Sequence, residues 1–246
     1  MGFNVRFFGI FIMPFLFAKM TQAQALNDSL YVRELTRIMV ENYTNAQYSQ
    51  APIYNGKVYR PDLKLDGDGH TLFYDSRYTT GTVIYNGLTY NNIMLLYDLV
   101  LDQLVLLNLD KAGGIMIPSD HIDEFSLHNH TFINLKPGKT QVAGIDPGYY
   151  DLLYSGTKDL LVKRTKKITE TIGQHKVVRT VSQRDKYYLL KDTTYIPVKS
   201  KNDFLKQLSE TRQQNQLFIK QQRLNFRKEK ENSMVELLKF HDSLNR

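Results

Sequence analysis

The chain has 246 residues, 16 tyrosines, no tryptophan, no cysteine and a formal net charge of +7. The lack of cysteine excludes a disulfide framework, a cysteine nucleophile and a lipid-anchored cysteine. Stability must come from a buried core, for which this length suffices in one or two domains.

The first residues read as an export signal. Arg6 supplies a positive charge, and "FFGIFIMPFLFA" follows. This apolar run of about a dozen residues suits a signal h-region and is short for a bilayer span. Ala23-Gln24-Ala25 offers cleavage after Ala25, with cleavage after Ala23 as the neighbouring choice. An uncleaved anchor or a buried helix is the alternative. Residues 1–25 are thus expected to be a signal peptide, and the chain to be exported to the periplasm or cell envelope of a Gram-negative bacterium. No later stretch approaches the roughly 20 apolar residues of a membrane helix. Asp98 and Asp102 interrupt the longest one, so no transmembrane span is expected after signal removal.

Residues 26–50 read as a short helix and a linker. Leu30, Leu35, Ile38 and Met39 recur at helical spacing, with Asp28 or Ser29 as cap. Residues 51–199 carry β-branched residues, tyrosines and Gly-containing turns. Strands are expected at 53–60, 71–75, 81–85, 88–97, 103–107, 115–117, 124–127 and 131–135, with about four more from 148 onward. "IYNGKVY" at 53–59 and "IYNGLTY" at 84–90 nearly repeat one phrase. Asn-Gly between β-rich runs predicts a two-residue hairpin turn at both places, more strongly at Asn86-Gly87. A ligand-reading motif is the other reading of the phrase.

Residues 200–246 turn helical. Ser200 is a cap with Asp203 in the capping-box position. Met234, Leu237, Leu238, Phe240 and Leu244 form an apolar stripe that is expected to pack on the sheet or on neighbouring helices. The fold class is therefore α+β: a tyrosine-rich antiparallel β region, as one curved sheet or two, followed by a helical C-terminal segment. An outer-membrane barrel is the competitor, disfavoured because the chain finishes on a polar amphipathic helix. The charge is asymmetric: residues 157–246 hold 21 Lys and Arg against 10 Asp and Glu, whereas residues 1–156 hold 11 against 15. A basic region of this kind is either a solvated surface or a contact for an acidic partner.

Motifs for chemistry are weak. "DGDGH" at Asp66–His70 starts like a calcium loop, but His70 and Arg77 fall at the fifth and twelfth positions, where the loop needs oxygen ligands. "HNH" at His128–His130 is the sharpest metal candidate, with His121 nearby. In a strand, His128 and His130 would share a face; in a turn, they would be ordinary exposed histidines. Asp98 and Asp102 form an acid pair within an apolar stretch, explained by acid–base chemistry or more simply by a turn at Asp102. Nucleophile and phosphate-loop motifs are missing, and no cofactor is expected.

The runs "GHTLFYDSRYTTGTVIYNGLTYNNIMLLYDLVLDQLVLL", "IDPGYYDLLY", "DKYYLLKDTTYIPVKSKNDFLKQL" and "FIKQQRLNFRKEKENSMVELLKFHDSL" resemble a family of uncharacterised exported proteins of Bacteroidota. Thr71 departs from that pattern, which has proline there. The resemblance implies an envelope location and carries over no catalytic residue. The expected function is a non-enzymatic interaction or structural module. It would contact an envelope protein or an anionic envelope component through the basic 157–246 region, and not nucleic acid. A carrier or sensor with an aromatic-lined concavity, or a hydrolase with an unspelled site, is the alternative.

Overall fold

The computed structural model describes residues 31–36, 38–39, 51–61, 64–67, 69–110, 112–136, 143–173 and 176–244. The expected signal segment, its cleavage site, Leu30 and the caps Asp28 and Ser29 lie outside the described residues. The chain divides into two compact units, residues 1–48 and 49–246. In the first, residues 31–36 and 38–39 are helical and exposed.

The second unit is built on one antiparallel sheet. Its strands are β1 (Lys57–Tyr59), β2 (Thr79–Tyr85), β3 (Leu88–Asp98), β4 (Gln103–Leu107), β5 (Gly114–Met116), β6 (Ile122–Leu127), β7 (His130–Leu135), β8 (Gly148–Tyr154), β9 (Leu160–Ile172), β10 (Val177–Lys191) and β11 (Thr194–Val198). The order across the sheet is β1-β5-β4-β3-β2-β6-β7-β8-β9-β10-β11. Two meanders, β2 to β5 and β6 to β11, are thus joined where β2 pairs with β6. The class is α+β with strands predominating, and the β region is one sheet. Three helices follow: α1 (Lys201–Gln207), α2 (Arg212–Gln221) and α3 (Lys230–Leu244). Among the described residues no helix is long and apolar enough to cross a membrane.

The repeated phrase is used in two different ways. Asn86 and Gly87 have φ of 52° and 75°, which lets β2 turn straight into β3. The first copy is not a hairpin. Pro52–Tyr54 form a 3-10 turn and Asn55 keeps φ at −87°. Gly56 is needed instead for close approach, because a Cβ there would run into the Met116 carbonyl and the Ile115 side chain. The expected strand at 53–60 therefore shrinks to Lys57–Tyr59. The one expected at 71–75 reduces to an isolated bridge from Leu72 to Asp98.

Sheet alternation also breaks inside β3. Asn91 and Asn92 together face Thr82 of β2, with Asn92 at φ 58°. This bulge puts Tyr90 and Ile93 on the same buried side despite their odd spacing. The sheet is curved enough that the β3–β4 turn returns to β9, where the Lys166 N–H donates to the Leu99 carbonyl at 3.2 Å.

Several buried clusters hold the sheet, among them an aromatic one and one under the helices. Tyr97, Phe125, Phe132 and Tyr149 are fully buried, with ring centroids 4.8–5.8 Å apart across the cluster. Each such ring contributes about 1.5–3 kcal/mol by burial. The aromatic residues therefore fill the space between strands by packing on one another. Another core lies under the helices: Leu160, Leu189 and Val198 meet Phe204, Leu208, Ile219, Met234, Leu237 and Leu238. The capping box at Ser200 and Asp203 is formed in both directions, and Met234, Leu237, Leu238 and Phe240 of the α3 stripe pack in this core, whereas Leu244 is exposed.

Candidate interaction site

The hairpin of β9 and β10 is the longest in the sheet, with thirteen and fifteen residues. Threonine, valine and isoleucine favour the extended backbone, and the Gly173 N–H donates to the Lys176 carbonyl at 2.9 Å at its end. Its distal part outruns both neighbours. β8 pairs with β9 only through Leu160–Val162, and β11 pairs with β10 only from Tyr187 on.

Strand alternation divides the hairpin charges between two faces. On one face stand Arg164, Lys166, Ile168 and Glu170, opposite Asp185, Gln183, Val181 and Arg179. Here the acids are answered: Arg179 Nε donates to Glu170 at 2.7 Å and Arg164 Nη1 to Asp185 at 3.1 Å. The opposite face carries Thr165, Lys167, Thr169 and Thr171, opposite Arg184, Ser182, Thr180 and Val178. Lys186 lies on this face too, opposite Lys163. Lys163 is tied to Asp102 at 2.5 Å. Lys167, Arg184 and Lys186 are exposed, and among the described residues no carboxylate pairs with them.

The backbone edge of β10 is only partly used. Lys191, Leu189 and Tyr187 face Thr194, Ile196 and Val198 of β11. Further along, the Asp66 N–H donates to the Arg179 carbonyl at 3.0 Å and the Arg179 N–H donates to Asp66 Oδ2 at 2.8 Å. That N–H, followed by Lys176, holds the Asp66 carboxyl below the usual carboxylate range. Between these two docking points lie Val181, Gln183 and Asp185.

The root of the hairpin is fixed by a buried polar network. Arg164 is 6% exposed and Asp151 of β8 is 1% exposed. Asp151 Oδ2 accepts from Arg164 Nε and from His130 Nδ1, both at 2.7 Å. Glu231 of α3 receives both Arg164 Nη1 and Nη2 at 3.0 Å. Burial opposes the Arg164 charge, but the Glu231 hydrogen bonds and the Asp151 charge outweigh it and raise its pKa further. Phe73 closes the network, its ring 5.8 Å from the guanidinium and 5.2 Å from the His130 ring. Lys166 donates to the carbonyls of His70 and Leu72 at 2.9 and 2.7 Å. Burial lowers its pKa against the opposing pull of Asp98.

The residues singled out for chemistry are dispersed. His128 and Asn129, at φ 51° and 62°, form the two-residue turn between β6 and β7, so "HNH" is a turn and not a continuous strand. His128 stacks on Tyr74 at 4.7 Å, whereas His130 turns inward to Asp151. His121 stands elsewhere, 2.8 Å from Asn86 Oδ1. Among the described residues no group of three or more His, Asp or Glu side chains is placed to hold a metal ion. Asp98 is buried and saturated: Tyr59 and Thr71 hydroxyls donate to Oδ2 at 2.7 and 2.8 Å, and the Val100 and Leu101 N–H groups to Oδ1 at 2.9 and 3.0 Å. Asp102, at φ 53°, is the bend. Neither aspartate contacts the other; Asp102 takes Tyr97 and Lys163 instead. A cleft of about 480 Å³ adjoins Tyr59, Thr71, His70 and Tyr78. The Arg164 network and the Asp66 clasp were missed in the sequence. The only signal for either was an arginine inside a β run and an Asp-Gly that looked like turn chemistry.

Comparison with known proteins gives no match to a family model, to a curated protein or to a solved structure.

Proposed function

We propose that this chain is an exported, non-enzymatic interaction module of the cell envelope, and that it engages an acidic partner through the β9–β10 hairpin. One observation carries the reading: Lys167, Arg184 and Lys186 share an exposed face without a pairing carboxylate among the described residues, while the hairpin acids Glu170 and Asp185 are engaged on the other face. Uncompensated charge on one surface raises the rate and selectivity of encounter with the opposite charge. The stiff Arg164 root adds preorganisation, since little ordering of the hairpin is left to occur on binding. The N-terminal Arg6, the apolar run and Ala23-Gln24-Ala25 support export. Within the basic 157–246 region the hairpin is the part that carries the contact, while residues of α1 to α3 such as Phe204, Ile219 and Leu237 pack in the core under the helices.

The test is cross-linking in intact cells that make the protein, with the wild type beside a Lys167→Glu, Arg184→Glu, Lys186→Glu triple variant. These three side chains are exposed and, among the described residues, have no ion pair to lose. A discrete cross-linked species that disappears in the triple variant is the expected result. The same species at undiminished yield would overturn the reading.

A further inference from the structure

The free backbone edge beside that charged face has a definite pattern. In an antiparallel strand, alternate residues direct both their N–H and C=O to the same side. Tyr187, Leu189 and Lys191 turn theirs to β11, and Arg179 turns both of its groups to Asp66. All four are odd-numbered, so Val181, Gln183 and Asp185 point theirs the same way. Among the described residues nothing accepts or donates there. Among the described residues the gap is therefore a stretch of unpaired sheet edge, bounded at one end by β11 and at the other by the Asp66 clasp, beyond which Gly69 lies against the Val181 side chain. Proteins commonly blunt such an edge with proline, a bulge or an inward charge. The ladder from Val177 to Leu189 runs here without a register shift, and β10 has no proline.

Building on the interaction reading above, the geometry points to β-strand addition: an extended, acidic segment of a partner protein pairs with β10 at Val181, Gln183 and Asp185. Side chains of an added strand would alternate. Those on the Arg184 face would lie beside Arg184, Lys186 and Ser182 and would be acidic. Those on the other face would meet Gln183 and the carboxylate of Asp185, next to the Val181 side chain that Gly69 adjoins, and would be apolar or hydroxylated. The occupant is thus an acidic–neutral alternating strand. Such modes take affinity from main-chain bonds and selectivity from alternate side chains. A second copy of this chain fits poorly. Antiparallel pairing of β10 with itself about Gln183 would gather two sets of Lys167, Arg184 and Lys186 on one face, where like charges repel.

The test uses the full chain and a synthetic peptide of about nine residues alternating Glu with Val or Thr, long enough to cover the gap at ~3.3 Å per residue. Binding is followed by titration and by amide hydrogen exchange. Expected are saturable binding and slowing of the Val181, Gln183 and Asp185 amides by at least about tenfold. The Ser182 and Arg184 amides, already turned to β9, should be unchanged. Gln183→Pro should weaken binding by about tenfold or more, because it removes one outward N–H without touching a bond to β9. The same peptide N-methylated at alternate residues, which tests the edge with the protein unaltered, should lose binding by a similar factor. Binding that survives both changes but falls with the triple charge reversal would mean attraction by charge alone. It would overturn strand addition and leave the interaction reading standing. No binding of the peptide, while the cellular cross-link remains charge-dependent, would likewise sink strand addition alone.

Discussion

Arg164 of β9 and Glu231 of α3 meet in a two-point fork, Nη1 to Oε1 and Nη2 to Oε2, both at 3.0 Å. The fork joins the helical layer to the sheet directly below the exposed hairpin. A planar guanidinium suits it in a way an ammonium does not.

Removing Arg164 should therefore be costly. Arg164→Ala leaves Asp151, 1% exposed, as a buried carboxylate with its main partner gone. A loss of about 3–5 kcal/mol is expected from breaking a buried pair this way. Arg164→Lys should recover only part of it. Glu231→Gln, at the more open end of the network, should cost about 1.5–3 kcal/mol. Urea unfolding of the three variants measures the order.

Two buried tyrosines should respond in opposite directions. The Tyr97 hydroxyl donates to Asp102 at 2.5 Å, whereas the buried Tyr149 hydroxyl has no hydrogen-bond partner among the described residues. Tyr149→Phe is expected to be neutral or stabilising by about 1 kcal/mol, and Tyr97→Phe to cost about 1.5–3 kcal/mol. Thermal unfolding of both, with the wild type alongside, separates them.

Asp242 should give stability an acid-sensitive component. Burial opposes its charge, but the Thr157 hydroxyl and N–H and the Tyr154 hydroxyl outweigh that and hold the carboxyl below the usual carboxylate range. A carboxyl lowered by folding contributes stability that is complete above its unfolded pKa and is lost as pH falls through the folded one. Asp242→Asn is expected to be less stable than the wild type at pH 7 and to converge with it in acid. Unfolding midpoints from about pH 7 to 3 show whether the two curves meet.

The two copies of the Tyr-Asn-Gly phrase should differ in their glycines. Gly87 has φ 75° and open space around its missing Cβ, so Gly87→Ala carries only the left-handed backbone penalty, about 1–2 kcal/mol. At Gly56 the new methyl would collide with the Met116 backbone, so β1 must shift away from β5. Gly56→Ala should cost more than Gly87→Ala in the same denaturation series.

Local chemistry was well written in the sequence. Asn86-Gly87, the bend at Asp102, the Ser200 cap and the stripe of α3 each depend on neighbours a few residues away. They formed as periodicity and turn rules require. What failed depended on distant partners. "IYNGKVY" has a hairpin turn's spelling, but Pro52 starts a 3-10 turn and β5 claims Lys57–Tyr59. Asp66 reads as turn chemistry until β10 brings Arg179 to it across 113 positions. Arg164, Asp151 and Glu231 come from three separate elements, and no spacing rule links them. The alternation on β9 and β10 was legible; that one face keeps its cations and the other spends its acids was not, because it depends on which face α3 covers.

The hairpin is best tested by photo-cross-linking in intact cells from a reactive residue placed at Ser182. That position is exposed on the face of Lys167 and Arg184. A matched control carries the reactive residue at Gln213, on the exposed side of α2. The expected result is a discrete adduct from position 182, abolished by Arg184→Glu with Lys186→Glu, and none of that size from position 213. An adduct formed equally from both positions, or only from α2, would contradict a binding role for the hairpin.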